Sequence, residues 1–338
     1  MATTDFTDTT IPDYEDEICN KTSVIEFGAI FTPVFFSIVV ILSLFGNILV
    51  IVILVKFENL RSLTNTLILN LAVSDLFFTA GLPFWASYHM YGWTLGEAAC
   101  KTVSFIFYTG FYSSGFLLIL MTGHRYVAVM SPLSDIVSST GLSSVIASVV
   151  VWALSIVVAS PAFVFTSLLE ETYCTYVSSY WTVWGIYQQN VLFVISSVVF
   201  VLCYSQIICR LLLRPTTQRR RSKTLKLIFS LIVVFFVGWG PYNIVIFMQS
   251  FDYYPQKSSY SAAKCEFSKS LDYALYVSRL LAFSHCCLNP VFYVFVGVKF
   301  KNHLKKMLKS WGRSKRHISN RQSRLTITSQ TSGEEFSM

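Results

Sequence analysis

The sequence predicts an all-α membrane protein: a bundle of seven transmembrane helices followed by a short amphipathic helix on the membrane surface. Only 13% of the 338 residues are charged and 54% are hydrophobic, whereas soluble proteins carry about 25% charged residues. Apolar stretches of about 20 residues, enough to cross a hydrocarbon core of roughly 30 Å as a helix, recur along the chain. We predict spans at 30–55, 66–90, 97–131, 142–165, 185–213, 223–250 and 269–296.

The apolar runs are predicted to be helices rather than strands of a membrane barrel. Barrel strands alternate apolar and polar residues over about ten positions, and these runs do not alternate. A helix also satisfies its own backbone hydrogen bonds, for which lipid offers no partners. The chain then divides into an acidic extracellular arm (1–29), the bundle (30–296), an amphipathic helix on the inner leaflet (297–312) and a disordered cytoplasmic tail (313–338).

The distribution of basic residues sets the orientation, because cytoplasmic loops are enriched in lysine and arginine. With an extracellular N-terminus, 20 of the 26 Lys and Arg residues fall on the cytoplasmic side. This predicts a multi-pass protein of the plasma membrane. We assign the net charge of +8 to contacts with membrane lipids, and we expect no nucleic-acid partner.

Four of the eight cysteines fall outside the membrane in this topology, where disulfides persist. They are Cys19, Cys100, Cys174 and Cys265, and four cysteines allow three connectivities. Pairing Cys100 with Cys174 would hold the loop between spans four and five over the bundle. Pairing Cys19 with Cys265 would tie the arm to the last span. Asn20 begins the sequence Asn-Lys-Thr, a glycosylation motif in the same external segment.

Polar residues inside the spans are costly in lipid and therefore indicate function. Asp75 lies in the middle of span two, and Asn289 lies in span seven. Ser114 precedes Arg125, at the cytoplasmic end of span three, by 11 residues, or about 16 Å of helix. Asp75, Ser114 and Asn289 could therefore line a pocket for a sodium ion, the one cofactor we expect. The five histidines show no metal-ligand spacing, so we predict no other metal site.

Two prolines mark points at which spans could bend, because proline removes a backbone hydrogen bond from a helix. Pro241 follows Trp239 and Gly240 in span six, and Pro290 follows Asn289 in span seven. A kinked but static helix is the alternative interpretation of both.

Apolar residues recur at helical spacing after the last span, at Phe300, Leu304 and Trp311, with lysines on the other faces. This pattern predicts the basic amphipathic helix on the inner leaflet. The tail beyond it is rich in serine and threonine. Phosphorylation there would reverse the local charge and could recruit arrestin.

Several residues occur in an order that is typical of one family. They are Asn47 in span one, Asp75 in span two, His124-Arg125-Tyr126 at the end of span three, Trp152 in span four, Trp239-Gly240-Pro241 in span six and Asn289-Pro290-Val291-Phe292-Tyr293 in span seven. The pattern covers residues 30–312 and resembles the rhodopsin-like G-protein-coupled receptors.

Finer features are similar to the chemokine receptors, and within them to the XC, or lymphotactin-receptor, type. Leu-Pro-Phe-Trp at 82–85, Ser-His-Cys-Cys-Leu-Asn-Pro at 284–290, the four external cysteines and the acidic arm fit the chemokine receptors. His124 in place of an acid, Arg279 in place of a glutamate and Ser196 in place of a proline suit the XC type. Gly238 and Gly81 depart from the family pattern, which usually has cysteine and threonine there.

The resemblance implies a receptor that binds a secreted basic chemokine of the C type, activates an inhibitory-class heterotrimeric G protein and drives calcium signalling and chemotaxis. Its implied ligand-binding residues combine the acidic arm, where Tyr14 is a candidate for sulfation, with an aromatic pocket: Asp13, Tyr14, Glu15, Asp16, Glu17, Trp85, Phe107, Tyr108, Tyr242 and Arg279. Arg279 would repel the amines that a glutamate attracts, and Asp272, two helical turns earlier, is its expected partner. The implied activation residues are His124, Arg125, Tyr126, Tyr204, Trp239, Pro241, Asn289, Pro290 and Tyr293.

His124 is the departure with the clearest expected consequence. In most relatives, the acid at this position helps to hold the following arginine in the resting state. A histidine cannot supply that anion, and once protonated it would repel Arg125. We therefore predict that the contact that holds Arg125 in the resting state is weaker in this protein, or that other contacts replace it.

The sequence leaves alternatives open. A CC-type chemokine receptor and a non-signalling chemokine scavenger share the motifs above. A membrane transporter is a more remote alternative, because it would need internal repeats or charged pathways, which we do not find. We do not expect an enzyme, because the chain shows neither a nucleophile–base set nor a metal-ligand cluster.

Overall fold

The computed structural model describes residues 19–131, 141–213, 218–253, 262–296 and 302–306. Its long helices are α1 (Thr22–Phe57), α2 (Leu63–Tyr91), α3 (Gly96–Met130), α4 (Gly141–Val164), α5 (Ser179–Leu213), α6 (Gln218–Ser250), α7 (Ala262–Phe283) and α8 (His285–Val296). A hairpin of β1 (Thr166–Leu169) and β2 (Tyr173–Tyr176) lies between α4 and α5, and a short 3-10 turn, Phe251–Tyr253, follows α6. The predicted seven-helix bundle is confirmed, with α7 and α8 together forming the seventh crossing.

Within the described ranges, six helices are long and apolar enough to cross a membrane: α1 to α5 in full, and the stretch Ile232–Tyr253, which covers the end of α6 and the 3-10 turn. The seventh crossing is more polar, because α7 carries five charged residues among its 22. Large apolar side chains such as Phe45, Val157 and Val198 are more than half exposed on the outside of α1, α4 and α5. This outward apolar surface suits contact with lipid.

The first helix begins at Thr22, eight residues before the predicted start, so that residues 22–29 belong to α1 rather than to an irregular arm. Oδ1 of Asn20 accepts the backbone N–H of Thr22 at 2.9 Å, and the carbonyl of Lys21 accepts those of Val24 and Ile25. These bonds satisfy donors that a helix leaves free in its first turn. Asn20 and Lys21, which accept these bonds, precede the apolar run. A prediction from apolar residues alone therefore placed the start of α1 too late.

The seventh crossing is interrupted at Ser284, between α7 and α8, and Pro290, at which the sequence predicts that the span could bend, lies within α8. Pro290 has no N–H, so the carbonyl of Cys286, four residues earlier, loses its helical partner. Nδ2 of Asn47 in α1 donates to this carbonyl at 2.8 Å. A neighbouring helix thus satisfies the group that the proline leaves free, and α8 continues through Pro290. Likewise, α6 is continuous through Pro241.

The outer half of the bundle holds a large cluster of apolar and aromatic side chains. The ring centre of Phe78 in α2 lies 4.5 Å from that of Phe107 and 5.0 Å from that of Phe283. Gly110 of α3 faces the same turn of α2 so closely that a Cβ there would lie 2.9 Å from the Cα of Phe78. The missing side chain at Gly110 therefore allows α2 and α3 to approach each other.

The hairpin lies against the outer end of α3. Its strands are antiparallel, with Thr166 opposite Tyr176 and Leu168 opposite Cys174. Cys174 packs with Cys100 and Trp93 in a small buried cluster. This cluster fixes the hairpin over the bundle.

Residues 302–306 are helical and represent the part of the predicted surface helix that the structure describes. Leu304 packs against an apolar cluster that includes Leu54 of α1. The ring of His303 stacks on Phe57, with ring centres 5.2 Å apart, and its Nε2 lies 3.1 Å from Oε1 of Glu58. These contacts fasten the segment to the inner end of α1. The rest of 297–312 and the predicted tail lie outside the described ranges.

Candidate functional site

Two disulfides join external segments to the bundle. The structure pairs Cys100 with Cys174 and Cys19 with Cys265, and the Cα atoms are 5.7 and 5.4 Å apart, within the usual range for a disulfide. Of the three connectivities that the topology allowed, this one holds the hairpin at α3 and the start of α1 at α7. Asn20, the predicted glycosylation site, is exposed beside Cys19.

The pocket residues predicted from the resemblance lie close together at the outer end. The ring centres of Trp85 and Tyr108 lie 6.0 and 5.4 Å from that of Phe107. Phe107 is only 6% exposed and belongs to the core cluster, so it supports the pocket from within. Tyr242 is equally buried, and its hydroxyl donates to a glutamine of α5 at 2.9 Å. Arg279 is partly buried in α7.

Asp272 does not pair with Arg279, and our expectation of that pair was wrong. Nζ of Lys21 lies 2.7 Å from Oδ2 of Asp272, and Nε2 of Gln249 donates to its Oδ1 at 3.0 Å. Residues seven apart are separated by about 10 Å along a helix axis, so partners on neighbouring segments are closer. In the part of the chain that the structure describes, Arg279 forms no ion pair or hydrogen bond. Lys21, a single base within the acidic arm, was the signal that we missed.

A hydrogen-bonded polar cluster surrounds Asp75 in the middle of the bundle. Oγ of Ser114 donates to Oδ1 of Asp75 at 3.1 Å, and Nδ2 of Asn289 donates to Oδ2 at 2.9 Å. The carboxyl group is fully buried. The structure therefore brings together the three residues that helix depth had suggested. The structure adds Ser74, which is hydrogen-bonded to Ser114 at 2.8 Å. The sequence analysis missed this residue, and the only signal for it was its place directly before Asp75.

The donor set of this cluster fits a small hard cation. Asp75 offers carboxylate oxygens, and Ser74 and Ser114 offer hydroxyl oxygens, the kind of ligand that such cations prefer. Nε2 of His285 lies 3.9 Å from Oδ1 of Asp75 and is buried without a hydrogen-bond partner among the described residues. A buried polar atom without a partner beside a buried carboxylate fits a site that a small ion would complete.

Trp239 of α6 lies between the outer pocket and the polar cluster. Its ring centre is 6.2 Å from that of Tyr242 and 4.9 Å from that of His285. A cavity beside Trp239 is also lined by Ser114 and His285. Two ring contacts therefore connect the pocket to the surroundings of Asp75.

The inner end of α3 carries His124, Arg125 and Tyr126. The hydroxyl of Tyr126 donates to Oε1 of Gln206 in α5 at 2.8 Å, and Tyr126 packs against the cluster that contains the buried Tyr204. Arg125 forms no ion pair with any side chain in the described ranges. No described acid therefore restrains this arginine.

Some predicted site residues lie outside what the structure describes. They are the acidic residues and the tyrosine of the arm, Asp13, Tyr14, Glu15, Asp16 and Glu17, and the side chain of Tyr293. Their roles stay predictions.

Comparison with known proteins identifies the class of this membrane protein. The family described as 7 transmembrane receptor (rhodopsin family) matches residues 46–293, a range that runs from the start of the Asn47 motif to Tyr293. The chain belongs to this family, whose members are signalling receptors and not enzymes.

Similarity to individual receptors narrows the class. The chain is 42% identical to chemokine XC receptor 1 of Homo sapiens over 299 residues, which cover 88% of this chain and 87% of that receptor. It is 42% identical to chemokine XC receptor 1 of Mus musculus over 298 residues, 87% and 88% of the two chains. It is 37% identical to C-C chemokine receptor type 3 of Cavia porcellus over 316 residues, 90% and 86% of the two chains. The protein is therefore a multi-pass chemokine receptor.

Proposed function

We propose that this chemokine receptor is of the XC type, that it binds a C-type, lymphotactin-like chemokine, and that it activates an inhibitory-class G protein to drive calcium signalling and chemotaxis. The observation that carries the proposal is its identity of 42% to two XC receptors against 37% to a C-C receptor of greater aligned length. His124 and Arg279, which suit the XC type, support it.

The ligand is expected to contact two surfaces. The acidic arm, strengthened by sulfation of Tyr14, attracts the basic body of the chemokine. The flexible end of the chemokine enters the pocket between Trp85, Tyr108 and Arg279. Because a ligand shifts a conformational equilibrium only through a difference in affinity for the two states, these contacts must be better in the active state.

The response is expected to travel inward through Tyr242 and Trp239. Bending of α6 at Pro241 and rearrangement near Asn289 and Pro290 would move the inner ends of the helices. Rearrangement of Arg125, Tyr204 and Tyr293 would then open the surface that admits the G protein.

We also propose that the Asp75 cluster holds an allosteric sodium ion. Asp75 would supply the negative charge, Ser114 and Ser74 would supply neutral oxygens, and Asn289 would orient the carboxylate. When bound, sodium would neutralise a carboxylate that is otherwise fully buried.

The distribution of charged residues supports an orientation in the plasma membrane. The arm lies outside the plasma membrane, and the basic segment after α8 contacts lipids of the inner leaflet. Phosphorylation of the serine- and threonine-rich tail recruits arrestin after activation.

The XC assignment can be tested in transfected cells with a panel of one C-type chemokine and several CC chemokines. We expect calcium release and migration in response to the C-type chemokine, with both responses removed by pertussis toxin. A response to CC chemokines alone, or toxin-insensitive signalling, would contradict the proposal.

Replacing His124 with aspartate is expected to lower basal G-protein activation, because the new carboxylate can pair with Arg125 in the resting state. A partly exposed ion pair contributes about 0.2–1 kcal/mol, which corresponds to at most about a fivefold decrease. Basal nucleotide exchange in membranes with matched receptor content measures the effect. His124→Asn is the control, because asparagine has the shape of aspartate without its charge. Equal basal activity in the two variants would count against the prediction.

A further inference from the structure

Lys21 carries the only basic side chain among residues 1–29, and six acids precede it. Glu17 lies four residues before Lys21, and Asp13 lies eight residues before it. Four residues of chain span at most about 14 Å, and eight span at most about 29 Å. If Lys21 faced the arm, it would therefore lie within reach of these acids. It would then neutralise part of the charge that attracts a basic ligand.

The structure holds Lys21 at α7 instead. Its Nζ lies 2.7 Å from Oδ2 of Asp272 and donates to Oγ of Ser268 at 2.7 Å. Cys265, Ser268 and Asp272 follow one another at intervals of three and four residues, so they lie on one face of α7. The disulfide from Cys19 engages the same face at Cys265, two residues before Lys21 along the arm. A covalent bond and an ion pair therefore fix the root of the arm, residues 19–21, to one face of α7.

Each carboxylate oxygen of Asp272 already has a partner within the receptor. Nε2 of Gln249 in α6 donates to Oδ1 at 3.0 Å, and Lys21 engages Oδ2. The side chain of Asp272 is 24% exposed, whereas that of Lys21 is 37% exposed. A cation of the ligand would therefore have to displace or share these partners to reach the carboxylate. This arrangement suits an internal counter-ion better than a contact for a basic ligand.

We propose that Asp272 is a positioning residue for ligand recognition: it holds Lys21 away from the acids of the arm, so that these acids remain available to the basic body of the chemokine. The inference rests on the proposed function and concerns the arm, not the pocket. Asp272 acts through Lys21, because removal of the carboxylate charge leaves an uncompensated cation at the root of the arm. That cation can pair with Glu17, and the attraction of the arm for a basic partner then falls.

The test measures the affinity of a fluorescent C-type chemokine for four receptors in membranes of matched receptor content: the wild type, Asp272→Asn, Lys21→Gln and the double variant. We expect Asp272→Asn to bind about two- to fivefold more weakly at low ionic strength, as for the loss of a partly exposed ion pair. Lys21→Gln keeps the glycosylation motif at Asn20 and is expected to bind at least as tightly as the wild type. The double variant is expected to recover the affinity, because no uncompensated cation remains.

Each of the other possible roles of Asp272 gives a different result. If the double variant binds as weakly as Asp272→Asn, Asp272 contacts the ligand directly, and the proposal is overturned. If Lys21→Gln loses as much affinity as Asp272→Asn, the ion pair serves only to fasten the arm, which also overturns it. The loss in Asp272→Asn must shrink toward 1 M salt, where the screening length is about 3 Å. A loss that does not depend on salt, or no loss at low ionic strength, contradicts the electrostatic role.

Glu266→Gln is the matched control, because Glu266 is another paired acid of α7. Its partner, Lys269, lies 2.8 Å away on the same helix and not in the arm. Lys21→Gln is therefore expected to restore the affinity of Asp272→Asn but not any affinity that Glu266→Gln loses. Equal rescue of both variants would mean that only the total charge matters, and it would overturn the assignment to Asp272.

The acids of the arm provide the second control. A receptor with amides in place of Asp13, Glu15, Asp16 and Glu17 is expected to bind the chemokine more weakly than the wild type. In that receptor, Asp272→Asn is expected to cost less than about twofold, because Lys21 has no arm carboxylate there to neutralise. The full loss in that receptor would show that Lys21 acts on the ligand without the arm, which overturns the proposal.

A second measurement does not depend on the identity of the chemokine. If no C-type chemokine binds, the XC assignment fails, and binding of a fluorescent hexalysine peptide to the purified receptor in discs of phosphatidylcholine decides the role of Asp272 alone. These lipids carry no net charge, and the inner face of the receptor is basic, so the peptide reports the acidic outer face. The wild type and the double variant are expected to bind the peptide more tightly than Asp272→Asn. Equal binding by all three receptors overturns the proposal.

Discussion

Replacing Gly110 with alanine is expected to destabilise the receptor markedly. A Cβ at this position would lie 2.9 Å from the Cα of Phe78 and 2.9 Å from the carbonyl oxygen of Ser74. Both are backbone atoms, so relief requires α2 and α3 to separate. That separation would also weaken the bond from Oγ of Ser74 to the carbonyl of Gly110, now 2.9 Å. Overpacking of this kind typically costs about 1–3 kcal/mol.

Thermal unfolding of the purified receptor measures this effect. A thiol-reactive dye reports unfolding through Cys286, which is fully buried in the native bundle, above the constant signal of the exposed Cys209. Gly123→Ala is a matched control in the same helix, because a Cβ there would meet no atom within 4 Å. We expect Gly110→Ala to melt several degrees below the wild type and Gly123→Ala to melt at or above it. Similar melting of the two variants would show that α2 and α3 are less closely packed than described.

Replacing Asp75 with asparagine is expected to abolish the sodium dependence of agonist binding and to impair G-protein activation. Asparagine retains the shape of the side chain but removes the charge. One of its two terminal atoms becomes a donor, which faces Ser114 or Asn289 where both now donate to the carboxylate. The polar cluster must therefore rearrange, and a site built for a cation loses its anion.

The measurement compares chemokine binding in sodium chloride with binding in N-methylglucamine chloride at equal ionic strength. In the wild type, sodium is expected to lower agonist affinity, because the ion favours the resting arrangement. Asp272→Asn makes the same chemical change in the outer ion pair with Lys21 and is expected to leave the sodium effect intact. An unchanged sodium effect in Asp75→Asn would refute the proposed ion site.

The depth of the site residues in the membrane could be predicted from the sequence. Which neighbouring helix each side chain faces could not. Apolar length revealed the seven crossings. The rise per residue placed Ser114 near the depth of Asp75, which lies in the middle of its span, and Asn289 was expected to join them. The expected pair of Asp272 and Arg279 was wrong. Their spacing of seven residues placed them on one face of the helix, but it could not reveal that Lys21 approaches Asp272 from another segment.

Local hydrogen bonding explains the other differences. The start of α1 depends on Asn20 and Lys21, which are polar and so invisible to a search for apolar runs. Asn47 satisfies the carbonyl that Pro290 leaves free, which allows α8 to remain helical through the proline. The bonds at the start of α1 are local and made by polar residues, whereas the bond from Asn47 joins residues that are far apart in the sequence, and no periodic pattern of apolar residues records either kind.

Nucleotide exchange on a purified inhibitory-class G protein, with the receptor reconstituted in lipid discs, tests the XC assignment most directly. A C-type chemokine is expected to accelerate exchange, and CC chemokines at the same concentration are expected to have little effect. Acceleration by CC chemokines without a response to the C-type chemokine would contradict the assignment. Tight binding of the C-type chemokine with no change in exchange would instead identify a scavenger.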